Sequence, residues 1–307
     1  MVQFISKRIV WDFSVNGIKR NSRLYRLITA SVILLSLAGC GSPLDEPGKP
    51  KSLLKVLTLE AHANPLYSLS GGLYEKPLPA RWSPYAWAQN AAALDSLSND
   101  KERLNRTADE LLRELAKHSD DHGELRVVRY DFTYVFDQNT LSAPWYSALG
   151  NSIAAIGLMH ISEATGRKDV NEFALSYLKA IEPELSHRDD KGRIWFSEYV
   201  TTSLPEGRVD VINGHFGSIV AFYEWRNRNK DRQFDEIIIA GLKTMHDYLP
   251  LMIQDGYFSY ARGYPHIKDY GQQRAVNFAA AACSLDSSIC PTTERYKSLH
   301  VEWTEAR

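Results

Sequence analysis

The chain has 307 residues, a formal net charge of −1 and a composition close to the globular average, enough for one large domain or two small ones. This excludes collagen-like, low-complexity and fully disordered chains. The first 39 residues hold six Lys or Arg against one Asp, so the rest of the chain is acidic. An acidic body lacks the positive field that draws in a phosphate backbone, which excludes nonspecific nucleic-acid binding. The three cysteines, Cys40, Cys283 and Cys290, are too few for a zinc ribbon.

Residues 1–39 are typical of a lipoprotein signal peptide. A basic segment precedes the apolar run 27–38, which falls within the ~7 to 15 residues of a signal sequence and short of the ~20 that cross a bilayer. The run closes on Leu-Ala-Gly-Cys, which resembles the lipobox of bacterial lipoproteins. We therefore expect Cys40 to be lipidated and residues 40–60 to tether the protein to a membrane. The expected location is extracytoplasmic, at the outer membrane facing the periplasm.

Cys283 and Cys290 lie seven residues apart. In an oxidising compartment they can form a disulfide, and they can also remain as one thiol buried in a helix and one surface thiol. The sequence leaves both alternatives open.

Residues 61–307 are predicted to form one mainly helical domain. Leu104, Ala108, Leu112 and Leu115 recur on one face of a helix. The same spacing or clear end signals predict further helices at 147–165, 169–181, 216–223, 234–248 and 272–285. Short polar joints between them are typical of antiparallel helical hairpins. We therefore expect an (α/α) toroid of hairpins, whole or partial, with short β pieces in its loops.

Three loop segments differ from the helices in composition. Residues 124–136 alternate and are rich in aromatic side chains, as a short strand would be, and 193–200 and 255–270 are aromatic and punctuated by glycine. Loops held by a rigid helical scaffold are where binding and catalytic residues concentrate. The functional site is therefore expected in these segments.

Three motifs in and near these loops carry a resemblance to a known family. They are Pro-Trp-Tyr-Ser-Ala from residue 144, Trp-Phe-Ser-Glu-Tyr-Val-Thr-Thr from 195, and Val-Ile-Asn-Gly-His-Phe-Gly-Ser-Ile-Val-Ala-Phe-Tyr-Glu from 211. With a later Asp-Tyr, they resemble the C-terminal catalytic domain of D-glucuronyl C5-epimerases over residues 131–285, about half the chain. The resemblance implies an (α/α) toroid and inversion of glucuronate to iduronate within a polysaccharide.

The resemblance implies particular catalytic residues. The family's Glu-Tyr pair maps onto Glu198 and Tyr199, although valine replaces the proline that follows in the family. A further catalytic tyrosine on a Tyr-x-x-Arg turn maps onto Tyr260 or Tyr257, neither of which has that spacing from Arg262. The last catalytic tyrosine maps onto Tyr270.

The environment of that last tyrosine departs from the family. The family's Trp-Asp-Tyr-His-Thr-Thr-His motif is Lys-Asp-Tyr-Gly-Gln-Gln-Arg here, without the tryptophan and both histidines. The substrate is therefore expected to differ even if the chemistry does not.

The chemistry requires such residues. The C5 hydrogen of a uronate is acidic only next to a neutralised carboxylate, which Arg262 can provide through its bidentate fork, with Arg274 as a second candidate. Inversion needs an acid and a base on opposite ring faces. Tyr199, Tyr260 and Tyr270 are the acid/base candidates, with Glu198 as base or relay, because a phenol near pKa ~10 must be activated. This scheme requires no metal or organic cofactor.

Other aromatic and histidine residues have weaker assignments. Trp145 and Tyr146 line a substrate groove or belong to the core, and Tyr257 lies beside the expected substrate. His215 is expected to cap or pack a helix. His118 and His122, four residues apart, are expected to be an ordinary helix end rather than a metal pair.

Two other functions remain open. A polysaccharide lyase would share the toroid and the first proton abstraction but would expel the 4-O-glycan. A noncatalytic lipoprotein would bind a glycan without turnover. In each case the expected partners are a uronic-acid polysaccharide and, through the lipid, a membrane.

Overall fold

The computed structural model describes residues 101–136, 139–254, 257–258, 261–262 and 272–305. These contain seven α-helices: α1 Lys101–Lys117, α2 Ala148–Thr165, α3 Lys168–Leu185, α4 Ile212–Asn229, α5 Asp235–Tyr248, α6 Gln272–Leu285 and α7 Cys290–Glu305. Short 3₁₀ helices span Leu249–Met252 and Ser287–Ile289. The predicted signal peptide, Cys40 and the tether lie outside the described residues.

Eleven short strands connect the helices within the described residues. They are β1 Ser119–His122, β2 Leu125–Tyr130, β3 Tyr134–Phe136, β4 Asn139–Leu141, β5 Trp145–Tyr146, β6 Ser186–Arg188, β7 Ile194–Phe196, β8 Tyr199–Val200, β9 Arg208–Val209, β10 Ile253–Gln254 and β11 Tyr257–Phe258. Five of them form one antiparallel sheet in the order β1-β2-β5-β8-β9. The others pair as hairpins, β3 with β4, β6 with β7, and β10 with β11. The protein is therefore mainly helical with short β pieces, as predicted.

The ends of α2 follow from local chemistry. The Ser147 side chain accepts a hydrogen bond from the Gly150 amide, which satisfies one of the free donors in the first turn. Gly166 ends the helix in a left-handed conformation, with φ of 74°, and its amide donates to the Ser162 carbonyl. A joint of two residues then leads into α3, which packs against α2. The predicted helical hairpin is confirmed at this position.

Helices α2 and α4 run side by side from the same end of the molecule. Near their first residues, the Ser152 hydroxyl donates to the Ser218 hydroxyl, and near their last residues His160 Nε2 lies 3.0 Å from an Arg228 nitrogen. Contacts in the same order along both helices mean that the helices are parallel, with α3 returning between their ends. The N-termini of α2 and α4 therefore meet at one end.

The five-stranded sheet lies at that same end. β5 leads directly into α2, β9 leads into α4, and β8 lies between β5 and β9 in the sheet. Below it, α2 packs against α3 and α4, and several aromatic and aliphatic side chains of α3 and α4 are fully buried: Tyr177, Phe216, Ile219, Phe222 and Tyr223. Phe216 contacts Phe278 on α6, and Phe222 contacts Phe196 on β7 and Phe234. This rigid core fixes the sheet and the two helix N-termini relative to each other.

Two features of the C-terminal part complete the described fold. Cys283 and Cys290 form a disulfide, which joins the end of α6 to the start of α7. Helix α7 itself was not expected from the sequence, although Tyr296 packs it into the core. Among the described residues, no helix has the length and apolar character needed to cross a bilayer.

Candidate active site

Glu198 lies in the link between β7 and β8, at the N-terminal end of α4. Its side chain is only 6% exposed. The Gly214 amide, in the first turn of α4, donates a hydrogen bond to Glu198 Oε2 at 3.2 Å. The residue that precedes α4, Val211, offers no side-chain cap. Glu198 therefore supplies from a distant loop the acceptor that the start of this helix lacks.

Glycine is required at position 214 by the closeness of this contact. A β-carbon added to Gly214 would lie 2.8 Å from both the Cα and the Cβ of Glu198 and 2.9 Å from its backbone nitrogen. These atoms belong to the backbone and the root of the side chain, so they cannot move aside cheaply. The Asn-Gly-His sequence at the start of α4 thus brings the helix amide within reach of the carboxyl group.

The preceding residue binds the other helix of the pair. The Ala148 amide, the first of α2, donates to the Ser197 carbonyl at 3.0 Å. Two successive residues, Ser197 and Glu198, therefore receive hydrogen bonds from the first turns of two parallel helices. The positive ends of both helix dipoles point at this link, which favours negative charge there.

Burial nevertheless dominates the ionisation of Glu198. Loss of solvent raises the pKa of its carboxyl group to about 7, against the opposing effects of hydrogen bonds from the Tyr199 hydroxyl and the Gly214 amide. None of the described Lys or Arg side chains pairs with this carboxyl group. A carboxyl group that titrates near neutrality can both accept and return a proton at physiological pH.

Tyr199 connects Glu198 to an aromatic cluster. Its ring centroid is 5.7 Å from those of Tyr134 and Trp145, and its hydroxyl is hydrogen-bonded to Glu198 and to the Tyr134 hydroxyl. Tyr199 itself is 7% exposed. The predicted Glu-Tyr pair is thus a hydrogen-bonded unit with a second phenol attached.

Trp145 and Tyr146 have different environments. Trp145 is buried, stacks on Tyr130 and donates through its indole nitrogen to the Phe132 carbonyl at 2.7 Å. The Tyr146 side chain is half-buried, and its hydroxyl donates to Asp120 Oδ2 at 2.7 Å. Burial and this carboxylate raise the pKa of Tyr146 to about 12. Both side chains support the sheet beside Tyr199, and their predicted role in substrate binding stays a prediction.

Arg262 is placed at the same end of α4 by backbone pairing. Ala261 forms a bridge with Val211, and the Arg262 amide donates to the Asp210 carbonyl. Its guanidinium donates to Asp210 Oδ2 at 3.3 Å, lies 5.0 Å from the Tyr248 ring centroid and remains 37% exposed. Arg262 is therefore oriented by a buried carboxylate and retains donors that are open to solvent.

Asp210 has two further partners besides Arg262. The Ser197 hydroxyl donates to Oδ1 at 2.9 Å, and His187 Nε2 lies 3.4 Å from Oδ2. Burial lowers the pKa of His187, although Asp210 opposes this effect. Ser197 directly precedes Glu198. Its hydroxyl therefore connects the group formed by Asp210, Arg262 and His187 to the segment that carries Glu198.

Four predicted site residues, or their side chains, lie outside the part of the chain that the structure describes. Tyr260 and Tyr270 lie outside the described residues, as do the side chains of Tyr257, on β11, and Arg274, in the first turn of α6. Their assignments therefore stay predictions.

The three histidines considered from the sequence are His118, His122 and His215. His215 is fully buried; its Nδ1 accepts from the Phe196 amide at 3.2 Å and its Nε2 lies 3.0 Å from the Gly241 carbonyl. Burial lowers its pKa to about 4, so the ring is neutral and packs between β7 and α5, as predicted. His118 and His122 are not on one helix, because α1 ends before them and His122 lies on β1. The described residues contain no group of three or more side chains arranged to hold a metal.

The sequence did not identify two residues of this site. Tyr134 lies in the alternating segment that was expected to be a strand, where several aromatic residues were equivalent. Asp210 is a lone acid between two valines, which is the only sequence signal for a buried carboxylate there. Both become recognisable only when distant segments are brought together.

Comparison with known proteins gives one family match and several similar structures. Residues 120–304 match the family described as D-glucuronyl C5-epimerase C-terminus. A crystal structure of a sugar epimerase from a ruminal bacterium is 14% identical, with a TM-score of 0.51, covering 84% of this chain and 71% of that one. The GH76 alpha-mannanase of Bacteroides thetaiotaomicron, solved as a selenomethionine derivative, is 14% identical, with a TM-score of 0.50, covering 81% of this chain and 68% of that one. At this identity the two structures indicate a shared fold alone. No curated protein matches.

We predict that Gly214→Ala destabilises the protein by about 1 to 3 kcal/mol, because the new methyl group must displace Glu198 or the start of α4. Urea unfolding measures the change. Gly241→Ala is the matched control: its methyl group would meet side-chain atoms alone, Ile219 at 3.0 Å and Phe196 at 3.1 Å, and alanine favours a helix, so a smaller loss of stability is expected. A Gly214→Ala protein as stable as wild type would contradict the close contact.

Glu198→Gln is expected to stabilise the protein more at pH 8 than at pH 5. The folded pKa of about 7 exceeds the ordinary 4.5, so the unfolded chain loses this proton first, and wild-type stability falls as pH rises through that window. The difference in unfolding free energy should grow by roughly 3 kcal/mol at most between these limits. The exposed Glu172→Gln in α3 is the control. A difference independent of pH would show that Glu198 titrates normally.

Proposed function

Because the chain belongs to the D-glucuronyl C5-epimerase C-terminus family, we propose that it is a uronic-acid C5-epimerase that converts glucuronate to iduronate residues in an exported polysaccharide. The family match supports a carbohydrate epimerase, an isomerase that needs one base and one acid. The observation that carries the proposal is the buried pair of Glu198 and Tyr199, whose side chains are hydrogen-bonded to each other.

The reaction begins with removal of the C5 hydrogen. Ionised Glu198 accepts a proton from the Tyr199 hydroxyl, which makes the phenol oxygen a base able to take a proton in turn. A phenol alone titrates near ~10 and would be inactive at neutral pH. The buried carboxyl group supplies the missing basicity without exposing a charge to solvent.

Arg262 is the group proposed to neutralise the substrate carboxylate. Its guanidinium is held by Asp210 and keeps exposed donors, and it lies at the same helix end as Glu198. A cation beside the substrate carboxylate stabilises the negative charge that develops there when C5 loses its proton.

Reprotonation must come from the opposite face of the sugar. Tyr260 and Tyr270 are the proposed acids, and Tyr257 and Arg274 are further proposed contacts of the substrate. These assignments rest on the resemblance of the sequence motifs.

The helical scaffold supports the proposed architecture. Parallel α2 and α4, with α3 returning between them, are the repeating unit that an (α/α) toroid of hairpins requires. We propose that such a toroid holds the glycan at the end where the five-stranded sheet lies. The leader and Cys40 support a lipid-anchored protein at the outer membrane, facing the periplasm.

Incubation of the protein with an unsulfated glucuronate polymer in D₂O tests the proposal. We expect deuterium at C5 and the appearance of iduronate by nuclear magnetic resonance. Tyr199→Phe should reduce both by about 100-fold or more, because it removes the phenol and breaks its bond to Glu198. Tyr223→Phe is the control, since the Tyr223 hydroxyl is buried in α4 and has no partner among the described residues.

The other outcomes separate the alternatives. Absorbance from a 4,5-unsaturated uronate, with chain cleavage, would identify a lyase. Binding without exchange or cleavage, unchanged in Tyr199→Phe, would identify a glycan-binding protein and overturn the proposal.

A further inference from the structure

We propose that His187 is a positioning residue of the proposed active site: when Arg262 binds the carboxylate of a uronate, His187 takes up a proton and replaces Arg262 as the cationic partner of Asp210. The inference rests on the proposed function and deepens it. It makes the affinity for an anionic substrate depend on a residue of β6 that need not touch the sugar.

One oxygen of Asp210 is shared by two groups that can carry positive charge. The Arg262 guanidinium donates to Asp210 Oδ2 at 3.3 Å, and His187 Nε2 lies 3.4 Å from the same oxygen. Both distances exceed the ~2.9 Å that is usual for such a hydrogen bond. Asp210 therefore holds neither group tightly, and either one can move closer when the other withdraws.

Asp210 needs a cationic partner because its carboxylate is buried. Its side chain is 8% exposed, whereas that of Arg262 is 37% exposed and keeps donors open to solvent. A substrate carboxylate can therefore draw the guanidinium away from Asp210. An interior carboxylate that loses its ion-pair partner is costly to the folded protein, so a second cation must take the place of Arg262.

His187 is placed to supply that second cation. It lies opposite Trp195 in the pairing of β6 with β7, and its Nδ1 lies 3.5 Å from the Ser197 hydroxyl oxygen. The Ser197 hydroxyl already donates its proton to Asp210 Oδ1, so toward His187 it can only accept. A ring protonated on both nitrogens can donate to Ser197 and to Asp210 at once, whereas a neutral ring can donate to only one of them.

The surroundings of His187 favour the neutral ring when no substrate is bound. The charged and titratable groups of the described residues that face it are Asp189, Arg208, Asp210, His215 and Arg262. Burial lowers the pKa of His187, Arg208 and Arg262 lower it further, and the two aspartates oppose this effect. His215 is buried and neutral. A negative charge placed at Arg262 offsets one of the two cations, so the pKa of His187 rises on binding.

The charges balance in this exchange. The substrate brings one negative charge to Arg262, and solvent supplies one proton to His187, whose side chain is 20% exposed. The group formed by Arg262, Asp210, His187 and the bound carboxylate is therefore as neutral as the group without substrate. No covalent bond of the sugar changes, so the exchange positions Arg262 before the proposed reaction at C5.

Calorimetry in two buffers of different ionisation enthalpy tests the proposal, with the full-length protein and an unsulfated glucuronate polymer. Wild type is expected to take up protons on binding and to bind more tightly at pH 5.5 than at pH 8. Glu198 also titrates near pH 7, so wild type must be compared with His187→Asn. The gain in affinity should be about tenfold larger in wild type, which corresponds to a rise of roughly one pH unit in the pKa of His187.

The pattern of the loss separates positioning from a structural role. His187→Asn should match wild type at pH 8, where the ring is neutral, and bind about tenfold more weakly at pH 5.5. His122→Asn on β1 is the control, since the His122 side chain is 48% exposed and faces Glu184, and it should keep the pH dependence of wild type. An equal loss at both pH values in His187→Asn, or an unchanged pH dependence, would overturn the proposal.

A measurement on wild type keeps the test decisive if His187→Asn folds poorly. Nitrogen-15 labelling of the histidine rings allows each imidazole to be titrated by nuclear magnetic resonance, and one pKa, that of His187, should rise by about one pH unit when the polymer is added. Binding of the polymer without such a rise in any histidine would overturn this inference alone. Wild-type protein that shows no C5 exchange in D₂O would instead overturn the proposed function, which keeps the two failures distinct.

Discussion

The hydrogen bond from the Gly214 amide to the Glu198 carboxyl group is the contact on which the site depends. A helix start without a side-chain cap needs an acceptor, and a buried carboxyl group needs donors, so each satisfies the other. The contact fixes the link between β7 and β8 against α4, and the Ser197 carbonyl fixes the same link against α2. Tyr199, the next residue, thereby contacts the aromatic cluster of Tyr134 and Trp145. The Ser197 hydroxyl donates to Asp210, which in turn accepts from Arg262.

The same contact has an energetic cost that fits a functional role. Glu198 has no Lys or Arg partner in the part of the chain that the structure describes, and an interior carboxyl group in that state contributes little to stability, which agrees with its raised pKa. Glutamine could accept the Gly214 hydrogen bond without that cost. An acid at this position is useful where a proton must be held and released near neutral pH. Functional sites commonly reduce the stability of the protein that carries them.

The helices and the Glu-Tyr pair could be predicted from the sequence because their signals are local. The predicted helix over 147–165, with Gly166 as its end signal, matches α2 within one residue at its start. The resemblance of the motif around Glu198 to the epimerase family predicted the pair, and the structure shows that its two side chains are hydrogen-bonded. Helix α7 was missed because its buried residues, such as Tyr296, lie among many polar ones and give a weak period.

The remainder of the site depends on contacts between distant segments. The sequence around Tyr134 and Asp210 does not distinguish them from other aromatic or acidic residues. Tyr134 is positioned by the pairing of β3 with β4, and Asp210 lies next to the bridge between residues 211 and 261. The raised pKa of Glu198 likewise depends on how completely the folded protein excludes water, which no sequence pattern reports.

Direct titration of Glu198 tests the central claim most closely. Carbon-13 labelling of glutamate carboxyl groups allows each to be followed by nuclear magnetic resonance as the pH is changed, and the spectrum of Glu198→Gln identifies the signal of residue 198. The buried carboxyl group is expected to titrate near pH 7. Titration near the ordinary value of 4.5 would contradict a buried proton acceptor at the start of α4.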